Sequence, residues 1–321
     1  MQATIPDARR DGNVAARGGT PRKSMLSKMW QYRQLYLLIL PALVYFIIFA
    51  YVPLYGLQMA FKDFQVFRGL WDSPWVGWEN FQNLFSSPKF PQLIENTLLI
   101  SIYRLVFGFP VPVLFALLLN EVRHIAFKRS VQTITYFPHF LSWVVMAGIV
   151  INLLGPTGII NTIVREAGGD PINFLANPDL FRINLVVTGI LKEFGWGAII
   201  YLAALPGIDP QLYESAKVDG AGKLRQIRDI TLPGLRPVMA VVLVLSLGSL
   251  LDAGFDQVFM LLNGATLEVG DIIDTYVYRV GLLEANFELA TAVGLFKGVI
   301  GMILIVTANT ILRRFGERSI W

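Results

Sequence analysis

Six long apolar runs dominate this chain and leave few folds open to it. They lie at 35–55, 96–119, 133–154, 183–205, 238–262 and 290–311. Each approaches or exceeds the roughly 20 mostly apolar residues that a helix needs to cross about 30 Å of hydrocarbon. Transmembrane strands would show alternating segments of about 10 residues, whereas 238–251 is almost unbroken apolar sequence, so the runs are read as helices. Composition agrees: 54% of the 321 residues are hydrophobic and only 16% charged, against roughly a quarter charged in soluble proteins. The expected fold class is an all-α membrane protein with six transmembrane helices, in a transmembrane domain over 35–312.

Cysteine is absent, and His124 and His139 are the only histidines. Disulfide scaffolds, thiol catalysis and Cys/His zinc sites are thereby excluded, and no metal site is expected. The net charge of +4 would hint at nucleic acid in a soluble protein. Here the basic residues cluster beside apolar segments, which makes them a topology signal and argues against nucleic acid as a partner.

Residues 1–34 carry Arg9, Arg10, Arg17, Arg22, Lys23, Lys28 and Arg33 against Asp7 and Asp11, and read as a disordered basic cytoplasmic tail. The first apolar run starts too far from Met1 for a cleaved signal peptide, so it is expected to stay as an anchor. Lys and Arg are also frequent at 120–132 (Arg123, Lys128, Arg129), 206–237 (Lys217, Lys223, Arg225, Arg228, Arg236) and 313–321 (Arg313, Arg314, Arg318). The intervening loops are poor in them. This alternation places both termini and the 206–237 loop in the cytoplasm, with 313–321 as a short C-terminal tail. Trp71, Trp75 and Trp78, in the first outer loop, suit either the headgroup region or the packing of that loop.

Gly220-Ala221-Gly222-Lys223 invites a nucleotide-binding reading that fails, because Lys217 and Leu224 stand where a P-loop needs Gly and Ser or Thr. Arg225 likewise occupies the third glycine position of a dinucleotide fingerprint. With no HExxH or GxSxG either, the chain reads as a non-enzyme. What stands out is the loop at 206–237. Asp209 is placed to cap a helix with Pro210 at its first position, and Gly220 to end it. Leu212, Ala216 and Gly220 then share one small face, with Glu214 on a neighbouring one, and a second basic turn runs on to Leu232-Pro233.

Glu214-Ser215-Ala216, Gly220, Ile230 and Leu232-Pro233 resemble the EAA motif, EAA-x3-G-x9-I-x-LP, of the permease subunits of binding-protein-dependent ABC importers. Ser215 in place of Ala is the one departure. Similarity continues through Tyr55-Gly56, 61–64, 201–205, 254–257, 274–279 and 291–294, and is strongest to the carbohydrate branch, above all the polysaccharide-type permeases that include the alginate importer. The resemblance implies a type I importer permease fold whose EAA helix couples to an ATPase through Glu214, Ser215, Ala216, Gly220, Ile230, Leu232 and Pro233. It also implies a second related permease as a heterodimer partner, two cytoplasmic ATPase subunits that carry ATP and Mg, an extracytoplasmic binding protein, and an oligo- or polysaccharide substrate such as alginate. No cofactor is expected on this chain, and the implied location is the bacterial inner membrane.

Ionisable groups within spans are costly and mark a path or a pair. Arg104, Lys192, Glu193, Asp252, Asp256 and Lys297 fall in the expected spans, with Asn152, Gln257 and Asn309 adding polarity. Cavity lining and internal ion pairing are both open for them. The substrate path is expected to draw on Lys192, Glu193, Trp196, Asp252, Asp256, Gln257 and Lys297, with Trp143, Trp196 and Tyr201 as aromatic candidates for a sugar. A channel working without ATP is the rival reading, but it leaves the 206–237 loop unexplained.

Overall fold

The structure, a computed structural model, describes residues 30–314. The basic tail expected over 1–34 falls outside these residues except for 30–34, and the C-terminal tail except for 313–314. Among the described residues six helical stretches are long and apolar enough to cross a membrane: Arg33–Phe61, Lys89–Glu121, Trp143–Glu166, Pro178–Gly207, Lys223–Gly248 and Phe287–Thr310. They are called the first to sixth spans. The expected all-helical membrane architecture is therefore present.

Most of the first span belongs to a unit that ends at Gly56. Its helix Arg33–Phe46 contains Pro41, has no buried residue and passes into a wider π turn at Ile47–Tyr51. A helix that is apolar all round suits a lipid environment.

The second unit begins at Leu57 and is organised around the fourth span, the most enclosed of the six. Asn177 starts that span by accepting the amide of Asp179 at 2.9 Å, with Pro178 in the first turn. It packs along the second span, where Phe115 and Phe194 meet edge to face at 5.0 Å. Towards one end Val113, Ala116, Leu117, Ala198, Tyr201, Leu205 and Leu235 tie the second, fourth and fifth spans together. Towards the other, Ile100, Ala147, Phe181, Leu185, Val258 and Ile272 bring in the third span and the segment after the fifth. Gly195 lies so close to the helix Ile125–Tyr136 that a methyl there would overlap the Thr135 carbonyl. Small residues permit such backbone approach between membrane helices.

The third and fifth spans differ most from the sequence reading. The third run, expected over 133–154, is broken at Phe137–Phe140, and a new helix starts at Trp143 under a Ser142 cap. Pro138 has no amide to continue the first helix, and apolar periodicity does not register the break. The fifth helix, expected over 238–262, begins at Lys223 and stops at Gly248. Pro233 and Pro237 do not delay it, because a π turn at Ile227–Thr231 lets the Leu232 amide reach Ile227 and the prolines follow inside the helix. Beyond 248 a non-helical turn leads through Gly254, at φ +81°, into a separate short helix Phe255–Leu261. Asp252 and Asp256 therefore lie past the fifth span, not within it.

The Gly195 contact yields a test. Gly195→Ala is expected to lower thermal stability in detergent by about 1–3 kcal/mol through overpacking, despite the better helix propensity of alanine. Gly298→Ala, where a methyl meets nothing within 4 Å, should leave the melting temperature unchanged or slightly raised.

Candidate functional site: a polar cavity and the 206–237 loop

A cavity of about 460 Å³ opens among the second, third, fourth and fifth spans. Its polar lining includes Ser101, Arg104, Glu193, Ser246, Ser249, Asp252 and Gln257, and its aromatic lining Trp143, Trp196 and Tyr201. Of the residues expected on a substrate path, Glu193, Trp196, Asp252 and Gln257 thus meet in one place. Lys192, Asp256 and Lys297 do not line it.

Lys192 is buried behind the cavity wall at 5% exposure. Its ammonium donates to the His139 carbonyl at 2.7 Å and the Pro138 carbonyl at 3.4 Å, lies 5.6 Å over the Trp143 ring, and reaches the Glu193 carboxylate at 3.4 Å. The broken third run explains this arrangement: Pro138 O still accepts the Leu141 amide at 3.2 Å, and the shorter lysine bond supplies His139 O with a donor at the break. The carboxylate of Glu193, about half exposed to the cavity, also sits 2.7 Å from His139 Nδ1. The His139 ring stacks on Trp196, with centroids 4.5 Å apart and planes 2° from parallel, while Phe140 meets the indole edge at 5.4 Å. Trp196 is held flat and still 42% exposed.

The opposite wall is set by the turn after the fifth span. Arg104 fills the space in front of Gly254, where a β-carbon would strike its guanidinium, and donates to Gln257 Oε1. Gln257, fully buried, donates in turn to Leu185 O at 2.8 Å and Thr188 Oγ1 at 2.7 Å. Among the described residues Arg104 has no carboxylate within ion-pair distance. Lys297 bridges Asp252 and Asp274, the latter at 2.7 Å, and lines neighbouring grooves. Asp256 is exposed and outside the cavity. Asn152 bonds within its own helix to Gly148 O, and Asn309 is buried in the sixth span. His139 and Asp274 were missed from the sequence: one sits in a break hidden inside an apolar run, the other in a segment read as a loop. No group of three His, Asp or Glu side chains suited to a metal occurs among the described residues.

The 206–237 loop forms a helix at Pro210–Val218, capped by Asp209, whose carboxylate accepts the Gln211 amide at 2.9 Å. At its far end the Gly220 amide returns to Lys217 O at 3.1 Å and the Ala221 amide to Ala216 O at 2.8 Å. With Gly220 at φ +73°, this is the Schellman closure. Tyr213 hydrogen-bonds Thr231 at 2.9 Å, and Lys223 pairs with Glu121 at 2.7 Å, so the loop is fastened to the fifth helix and to the end of the second span. Leu212, Glu214, Ser215 and Val218 are exposed, whereas Ala216, Ile230, Leu232 and Pro233 are half-buried. Ala216 therefore faces partly inward and does not share the open face of Leu212.

The chain is similar over most of its length to known transport proteins. Residues 108–320 match the family model described as binding-protein-dependent transport system inner membrane component. The polygalacturonan/rhamnogalacturonan transport system permease protein YteP of Bacillus subtilis (strain 168) is 48% identical over 94% of both chains. Protein LplB of the same organism is 42% identical over 99% of both. Among solved structures, a bacterial ABC transporter involved in the import of the acidic polysaccharide alginate aligns with TM-score 0.84 and 42% identity over 90% of this chain and 98% of that one. The bacterial alginate ABC transporter in complex with alginate pentasaccharide-bound periplasmic protein aligns at 0.85 and 40%, over 92% and 99%. With the match extending over nearly its whole length, the chain belongs to the binding-protein-dependent transport system inner membrane components, the permease subunits of ABC importers.

Proposed function

We propose that this permease carries an acidic oligo- or polysaccharide through the central cavity, driven by a separate ATPase that engages the Pro210–Val218 helix. The observation that carries the substrate class is the cavity itself. A flat, half-exposed indole stands beside carboxylate, hydroxyl and guanidinium groups, and so offers a sugar ring an apolar face to stack on and hydrogen-bond partners for its hydroxyls. Relatives that handle polygalacturonan, rhamnogalacturonan and alginate support an acidic cargo. The chain itself is a non-catalytic transport subunit of the inner membrane.

A second permease, two ATPase subunits binding ATP and Mg, and an external binding protein complete the working assembly in this reading. The alternation of basic loops supports cytoplasmic termini and a cytoplasmic coupling loop. Glu214 and Ser215 are exposed and free to meet an ATPase groove, while Ala216, Ile230, Leu232 and Pro233 fix the helix from behind.

Uptake of labelled tetragalacturonate into vesicles holding the whole complex tests the substrate. The wild type should accumulate it in an ATP-dependent way, and Trp196→Ala should slow uptake by about tenfold, the worth of roughly 1.5 kcal/mol of lost stacking. Failure of the wild type to import any acidic oligosaccharide would overturn the substrate assignment.

The coupling role makes its own prediction. Space around Gly220 is open, so the effect of substitution there is conformational. Gly220→Leu, forced into the left-handed region at about 1–2 kcal/mol, should abolish ATPase stimulation by loaded binding protein, while Gly220→Asn, which tolerates that region, should retain much of it. Glu214→Ala should impair stimulation without unfolding the chain. Normal stimulation in Gly220→Leu would reduce the loop to a connector.

A further inference from the structure

An acidic substrate creates a difficulty in this cavity, because both of its lining carboxylates, Glu193 and Asp252, carry the substrate's own sign. Like charges brought together in a poorly hydrated space repel strongly. The surroundings of Glu193 resolve the difficulty on one wall. Its neighbour in sequence, Lys192, cannot touch cargo, since it is buried at 5% exposure. Yet its ammonium stands 3.4 Å from the Glu193 carboxylate, which His139 Nδ1 also holds at 2.7 Å. Adjacent residues on a helix point about 100° apart, so Lys192 can face the Phe137–Phe140 break while Glu193 faces the cavity.

We propose that Lys192 is a specificity-determining positioning residue, which neutralises Glu193 from behind and so lets an acidic sugar pass a wall that would otherwise repel it. In this arrangement Glu193 still accepts hydroxyl hydrogen bonds, but its charge is already satisfied. Arg104, which has no carboxylate within ion-pair distance among the described residues, then sets the sign that the cargo meets. Asp252 is compensated in its turn by Lys297, which it shares with Asp274.

The inference rests on the acidic-substrate reading, and the experiment separates the two. Equilibrium binding of tetragalacturonate is measured on the solubilised, nucleotide-free complex without binding protein, beside vesicle uptake. Lys192→Met should weaken binding by about tenfold, and the defect should shrink to about threefold or less in 0.5 M salt, where screening acts over roughly 4–5 Å. Lys192→Met/Glu193→Gln should recover binding to within about threefold of wild type, because the charge that needed neutralising is gone. Glu193→Gln alone, which keeps the Lys192 bonds to the carbonyls of the helix break, should tighten binding by about threefold and keeps the idea testable if Lys192→Met fails to assemble. A double variant as weak as Lys192→Met, a salt-independent defect, or weaker binding by Glu193→Gln would each assign Lys192 a purely structural role. If the wild type neither binds nor imports tetragalacturonate, the substrate reading falls and this inference with it.

Discussion

A carbonyl that leaves a helix within a membrane must find a donor, because no water is there to supply one. Non-helical carbonyls of the second unit, within the spans and between them, are met by side chains from elsewhere in the sequence. Lys192 serves Pro138 and His139 at the break before the third span. Asn161 donates to Gly155 O and Ile172 O, closing the turn inside the third span onto the loop that follows that span. Asn96 donates to Glu268 O and Asp271 O, and Arg182 to Val269 O, fastening the segment before the sixth span onto the second and fourth. The irregular stretches are thereby as well determined as the helices, and the cavity lies between them.

This division explains what the sequence discloses. The six apolar runs and their helical nature follow from hydropathy and length alone. The cap at Asp209, the glycine stop at Gly220 and the Leu232-Pro233 end of the motif are local signals, and the chain folds locally as they indicate. The interruptions at Phe137–Phe140 and after Gly248 are punctuated by Pro138 and Gly254, but a lone proline or glycine is also tolerated inside a membrane helix, so neither marks a break by itself. With the breaks hidden, Lys192 reads as an ion in a helix facing water, when it is a donor turned to a neighbouring backbone. His139 could not be placed for the same reason. Glu193 and Trp196 were recoverable because a polar or aromatic group on a helix that crosses hydrocarbon stands out wherever the helix begins.

The same logic makes the Pro210–Val218 helix a defined body. Asp209 closes one end and the Ala216 and Lys217 carbonyls close the other, so Pro210–Val218 has no frayed turn to absorb a push. It is tied to the fifth helix through Tyr213 and Thr231, and the start of that helix is tied to the second span through Lys223 and Glu121. A displacement of this short helix is therefore delivered first to the fifth helix, one wall of the cavity.

Lys297 has a comparable place on the far side. Its ammonium is held by carboxylates from two segments, Asp252 in the turn after the fifth span and Asp274 in the short helix before the sixth. One cation with two anchors behaves like a swivel pin: if either segment draws away, the other still holds the charge. The usual penalty for opening a partly buried ion pair, a bare ion left behind, is thereby divided into two smaller steps. Rearrangement along this seam need never strand the lysine.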